Sequence, residues 1–205
     1  RTPWAEQRGK SFTEQIHAAG FEVSEYLTPP PAQVNWPKER RVLAKWLQSF
    51  PKPVSIMACN DDIGVQTLEA CKLAGLAVPD AVGVIGVDND EIVCGLADPA
   101  MSSVALNFER AGYESAQALD QLMRKLADTP PQIIVQATHI VARRSTDVVA
   151  VEDLAVARAM RFIRDQTRGP VTVAEVARAA GLSRRVLERR FRHEFNSSIQ
   201  TEIRR

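Results

Sequence analysis

The apolar positions of this 205-residue chain change period several times. From Arg8 to Ala18 they recur at helical spacing and stop at Gly20, and from Phe21 to Leu27 they read as a strand. A proline loop, Pro29-Pro30-Pro31, leads to a second helical stretch, about Pro37 to Gln48. The β-rich run Val54-Ser-Ile-Met-Ala58 follows, closed by Asn60 and Asp61. A helix to about Ala74, a turn over Pro79 to Gly83 and the apolar strand Val82 to Val87 come next. A later helix, about Glu109 to Leu126, precedes short strands at Gln132 to Gln136 and Thr138 to Val141. Apolar strands separated by amphipathic helices predict an α/β fold with a Rossmann-like parallel sheet covered on both faces.

The pattern changes again in the last third. Thr172 can cap a helix, and Glu175 three residues later closes a capping box. Val173, Val176, Ala177 and Ala180 recur at helical spacing, Gly181 supplies a left-handed C-terminus, and Ser183 can start the next helix. In that helix Leu187 and Phe191 lie four apart and share one face, with Val186 beside them. Arg184, Arg185, Glu188, Arg189 and Arg192 point elsewhere. A short helix, a glycine turn and an arginine-loaded second helix form a helix-turn-helix signature, whose second helix fits the major groove. The plainer alternative is a small bundle with a solvated arginine face.

Charge weighs against that alternative. Residues 151–205 hold twelve arginines, no lysine and seven acids, a net of +5, whereas residues 1–150 hold 14 basic and 18 acidic residues, a net of −4. The near-neutral total conceals a basic tail, as expected of a nucleic-acid module joined to something else. The remaining composition, 45% hydrophobic and 25% charged, is that of an ordinary soluble protein. No apolar run approaches a membrane span and the N-terminus carries no secretory pattern, so the expectation is a cytoplasmic protein with no membrane partner. Cys59, Cys71 and Cys94 lack paired spacing and read as reduced, buried packing residues, and His17, His139 and His193 make no metal spacing. No metal or other cofactor is expected.

In open parallel sheets ligands bind beyond the carboxyl ends of the strands. Asn60-Asp61 follows one predicted strand and Asp88-Asn89 another, so both pairs should meet in one crevice. Carboxylates and carboxamides suit a sugar, whose hydroxyls donate and accept, better than phosphate, which needs a glycine-rich cradle. Asp61 or Asp62 reads equally as a cap of the following helix, and Asp88 as the start of a turn.

The segments Met57-Ala-Cys-Asn-Asp-Asp62 and Gly75-Leu-Ala-Val-Pro-Asp-Ala-Val-Gly-Val-Ile-Gly-Val-Asp-Asn89 resemble the effector domain of lac-repressor-type regulators, related to periplasmic sugar-binding proteins. Gly181-Leu-Ser-Arg-Arg-Val-Leu-Glu-Arg-Arg-Phe191 resembles the first half of the DNA-binding domain of arabinose-regulator-type activators. The two modules in this order, with Ala142-Arg-Arg-Ser-Thr-Asp147 at their junction, resemble the bacterial xylose operon regulators. The resemblance implies a periplasmic-binding-protein-type effector domain over residues 1–146 and an all-α helix-turn-helix domain over 147–205. It implies a sugar-responsive transcription regulator, an activator rather than an enzyme. The implied partners are double-stranded operator DNA, a monosaccharide such as D-xylose, a second copy in a homodimer, and RNA polymerase.

The same resemblance implies residue roles. Arg8 matches an arginine that contacts sugar hydroxyls, and Trp36 an aromatic that packs against the sugar ring; the alternative for Trp36 is core packing, the expectation for Trp46 within the helix. Arg8, Trp36, Asn60 and Asp88 form the expected sugar contacts, with Asp61 and Asn89 behind them. Arg185, Glu188 and Arg189 match positions that face base edges, and Arg184 and Arg192 would bind phosphate. Glu188 would accept from a cytosine amino group or hold Arg185 or Arg192. Asn196 stands where the family usually has glycine; asparagine tolerates the left-handed conformation, so the turn should survive.

Measured against the family, the first half of the effector domain and the second helix-turn-helix unit are missing, so the expectation is a piece of a longer protein. A transport-type sugar-binding protein and a Rossmann-type sugar enzyme compete with the regulator. The basic tail argues against the first, and the want of Gly-x-Gly-x-x-Gly, a nucleophile elbow or a metal cluster against the second.

Overall fold

The computed structural model describes residues 2–29, 34–126, 129–148, 153–165 and 171–204. Pro30 and Pro31 of the proline loop lie outside the described residues. The chain divides into two compact units, Arg1–Asp147 and Val148–Arg205.

The first unit is built on a four-stranded sheet in the order β1-β2-β3-β4. Its elements are α1 (Pro3–Ala18), α2 (Trp36–Gln48), β1 (Val54–Met57), α3 (Asp61–Ala74), β2 (Val82–Asp88), α4 (Glu91–Leu96), β3 (Ser102–Leu106), α5 (Phe108–Met123) and β4 (Ala137–Val141). A short 3-10 turn, Arg144–Thr146, closes the unit. The strands β1, β2 and β3 run parallel, and Val54 pairs with Val82 and Ile85 with Ser102. Beneath them Leu43, Leu47, Leu68, Ala70, Cys71, Val82, Val84, Cys94 and Met101 form one buried cluster. Cys71 and Cys94 are the buried packing thiols expected, but Cys59 is only half-buried.

The sheet is mixed rather than all-parallel, because β4 runs antiparallel to β3. The cause lies in residues 132–136, expected as a strand but forming none. Gln136 bonds Asn107 twice, its carbonyl accepting from Asn107 N at 3.0 Å and its amide donating to Asn107 Oδ1 at 2.6 Å. The chain is thereby pinned beside the carboxyl end of β3 before β4 begins, and from there it can only descend. Residues 21–27 are no strand either. Tyr26 of this segment packs on Trp46 at 5.1 Å between ring centroids and donates to Glu39 at 2.6 Å. Burial and the neighbouring Glu39 carboxylate hold the Tyr26 phenol well above its usual range.

In the second unit, α6 (Leu154–Asp165), α7 (Val173–Ala180), α8 (Arg184–Phe195) and α9 (Ile199–Ile203) surround a core of Val156, Ala159, Met160, Val176, Ala177, Ala180, Leu187, Phe191 and Ile199. The capping box of Thr172 and Glu175 is formed, Gly181 ends α7 at φ 71°, and Ser183 caps α8 by accepting from Val186 N. Leu187 and Phe191 are fully buried, as the four-residue spacing requires. Asn196 takes the left-handed conformation at φ 48°.

Candidate functional site

The parallel strands fix where a ligand crevice lies: β1 and β2 deliver Cys59-Asn60 and Asp88-Asn89 side by side at their carboxyl ends. Arg8, on α1, reaches this edge. Its Nη1 donates to the Cys59 carbonyl at 2.6 Å, its Nη2 to Asp88 Oδ1 at 2.9 Å, and its guanidinium sits over the Trp4 ring at 4.8 Å. A planar guanidinium is suited to such a fork, and its face to an aromatic ring. Trp4, one helical turn before Arg8, was not anticipated; its i,i+4 spacing was the available signal.

Asp88 and Asn89 take φ of 108° and 55°, a region non-glycine residues seldom enter. Such a turn aims both side chains out of the strand end at a cost that the surrounding bonds must offset. Burial raises the Asp88 carboxyl above the usual range, aided by the Asp61 and Asp62 charges, against the lowering effect of Arg8. A 2.9 Å ion pair alone would lower it; desolvation and two like charges outweigh it.

Asp61 has a different job from the ligand contact expected of it. It is 3% exposed, with Oδ1 accepting from Ser103 Oγ at 2.6 Å and Oδ2 from the Asp90 amide at 2.7 Å. Both oxygens are committed within the protein, and a Cβ at Gly86 would collide with this carboxylate. Nor is Asp61 or Asp62 the cap of α3; Asn60 is, its Oδ1 accepting from Ile63 N at 3.1 Å. The Asn60 carboxamide keeps its Nδ2 donor for other use. Trp36 opens α2 half-buried.

Two residues that the sequence did not single out complete the network. Ser103 Oγ accepts from the Asn89 amide at 3.0 Å while donating to Asp61. Arg143 donates from Nη2 to Asn89 Oδ1 and from Nη1 to the Met101 carbonyl, both at 3.0 Å. The motif Ala142–Asp147 was the available signal for Arg143.

The outer face of α8 is the candidate nucleic-acid face. Among the described residues, Arg185, Arg189 and Arg192 are exposed and make no ion pair, while Arg184 pairs with Glu188 at 2.8 Å and Arg190 with Asp153 at 3.1 Å. Glu188 therefore holds neither Arg185 nor Arg192, as expected of it, but Arg184, one turn back, where α-helical geometry puts the two side chains in reach.

Residues 1–146 match the model of the periplasmic binding protein-like domain, and the chain belongs to that family. It is 33% identical over 98% of its length to the xylose operon regulatory protein of Escherichia coli (strain K12) and 31% identical to that of Haemophilus influenzae. The chain spans about half the length of these curated relatives, 51% and 52%. Among solved structures, that of the xylose-binding transcription activator xylR superposes with a TM-score of 0.73 at 33% identity, over 98% of this chain and 53% of that one. The complex of the transcriptional regulator CelR with cellobiose gives 0.56 at 27%, over 67% and 41%.

Proposed function

We propose that this chain belongs to a sugar-responsive transcription regulator: the crevice takes a neutral monosaccharide, D-xylose first among candidates, and occupancy alters operator binding by the second unit. The observation that carries the sugar reading is the Arg8–Asp88 pair, 80 residues apart in sequence, set at the carboxyl ends of parallel strands. A charge-neutral pair offers donors and acceptors to hydroxyls without attracting ions. Arg8, Asn60, Asp88 and Asn89 line the contact, and Trp36 stacks on the apolar face of the ring. The relatives' names support the same reading.

The second unit supports DNA binding as a helix-turn-helix, with α8 in the major groove. Arg185 and Arg189 read base edges, Arg192 and Arg184 hold phosphate, and Glu188 keeps Arg184 extended. The regulator works as a homodimer on double-stranded operator DNA in the cytoplasm, activates with RNA polymerase, and catalyses nothing. No helix among the described residues is long and apolar enough to cross a membrane. The test is calorimetric titration of D-xylose and other monosaccharides into the full chain as the cell makes it, with operator affinity measured at each saturation. Micromolar binding of one sugar with a shifted operator affinity is expected; no sugar response in either measurement would sink the proposal.

A further inference from the structure

Asn89 lies in the crevice, but the group that holds its carboxamide belongs to the segment through which the chain leaves the first unit. Arg143 sits four residues before that unit ends at Asp147. Its side chain reaches back to Asn89 Oδ1 and the Met101 carbonyl, each at 3.0 Å. Its backbone is bolted to β3 as firmly: its amide donates to Ser102 Oγ at 2.7 Å, and Ser102 Oγ donates to its carbonyl at 3.0 Å. Thr146 Oγ1 lies 2.6 Å from the same hydroxyl, the Ser102 amide donates to Ser145 Oγ at 2.8 Å, and the Ser145 amide to the Ala100 carbonyl at 2.9 Å.

We propose that Arg143 couples occupancy of the crevice to the exit segment 142–147, and through it to operator binding. The inference rests on the sugar-responsive reading above. Asn89 stands in a left-handed conformation beside Asp88 at φ 108°, and its amide is tied through Ser103 to the buried Asp61. The turn therefore has few ways to move. A sugar hydroxyl that bonds the Asn89 carboxamide competes with or reorients the Arg143 contact. Arg143 is held at both ends, its guanidinium also by the Met101 carbonyl and its backbone by Ser102, so a change at Asn89 alters a contact that helps fix segment 142–147. Arg143 is thus a positioning residue, acting on ligand and DNA through others.

The experiment uses the full chain and reads operator affinity with and without saturating D-xylose, alongside calorimetric D-xylose binding. The unsubstituted protein is expected to show a response of about 5- to 150-fold, the usual span of allosteric coupling. In Arg143→Gln the sugar still binds, and the operator response falls to within about twofold of none. Arg143→Met keeps the apolar stem of the side chain but carries no donor for Asn89, and it decides the matter should Arg143→Gln fail to fold. A full response in the folded variants overturns the coupling role. So does loss of D-xylose binding in both, which would make Arg143 part of the ligand contact. An unsubstituted protein that ignores D-xylose instead overturns the sugar-responsive reading itself.

Discussion

The crevice of the first unit and the outer face of α8 use charge in opposite ways. In the crevice Arg8 is spent on Asp88 and the Cys59 carbonyl, Arg143 on Asn89, and Asp61 on Ser103 and the Asp90 amide. No buried side-chain polar atom among the described residues lacks a partner. On α8, Arg185, Arg189 and Arg192 stand exposed with no ion pair. A site for a neutral, hydroxyl-rich molecule needs oriented donors and acceptors whose charges cancel; a face for a polyanion needs charge left over.

The comparison breaks most sharply at two carboxylates of the same crevice. Asp61 is buried and doubly bonded, whereas Asp88 is a third exposed and bonded to one side chain, that of Arg8. Asp61→Ala leaves the Asp90 amide and Ser103 hydroxyl without their acceptor, and should cost about 3 to 5 kcal/mol of stability. Asp88→Ala should cost under about 1 kcal/mol, as expected of an ion pair open to solvent. Urea midpoints of the two variants decide it, and similar losses would erase the distinction between a structural and a ligand-facing carboxylate.

A smaller effect is reserved for Asp88 in sugar binding. Its loss should leave hydroxyls unpaired and weaken D-xylose by about 2 to 4 kcal/mol in calorimetry. Unchanged affinity would move the sugar away from the ends of β1 and β2.

The two regions also differ in how much their sequence discloses. The caps of α7 and α8 are local: Thr172 with Glu175, Gly181, Ser183 and Asn196 each act within a few residues, so pattern reading finds them. The crevice is assembled over long separations, 42 residues from Ser103 to Asp61 and 54 from Arg143 to Asn89. Asp88 and Asn89 were legible because they follow an apolar run, and Arg8 through the resemblance; Ser103 and Arg143 were not. The strand β3 went unread because Ser102 and Ser103, both fully buried, break its apolar pattern. Their hydroxyls are satisfied by Arg143, Thr146 and Asp61, partners that no local rule supplies. Phe21 to Leu27 was misread because strand-like composition does not by itself make a strand: its Tyr26 is held by Trp46 and Glu39 of α2 rather than by a ladder.

On α8 the paired and unpaired arginines should separate. Under the proposed function, Arg189→Ala should cost about 1 to 3 kcal/mol at one operator position and relax preference there. Arg192→Ala should weaken operator and scrambled DNA alike and lower the salt slope by about 1. Arg190→Ala, whose guanidinium already holds Asp153, should change operator affinity least of the three. Equal losses for Arg189→Ala on both DNAs would remove its base-reading role and leave the face purely electrostatic.

The smallest effects are pH slopes, and the two regions should give them opposite signs. Burial, with the Asp61 and Asp62 charges, raises the Asp88 carboxyl, so the folded state keeps a proton that the unfolded chain has released. Its contribution to stability is present below the unfolded value and is lost as pH rises, from about pH 4 upward, through the folded value. Glu175 is the reverse case: the Thr172 amide and hydroxyl bond its carboxylate and lower it. Its contribution is present above the unfolded value and is lost as pH falls below about 4.3. Chemical denaturation of the unsubstituted chain, Asp88→Asn and Glu175→Gln between pH 3 and 7 separates the two. Relative to the unsubstituted chain, Asp88→Asn should gain stability as pH rises and Glu175→Gln should lose it. Slopes of one sign for both would mean that Arg8, not burial, governs Asp88.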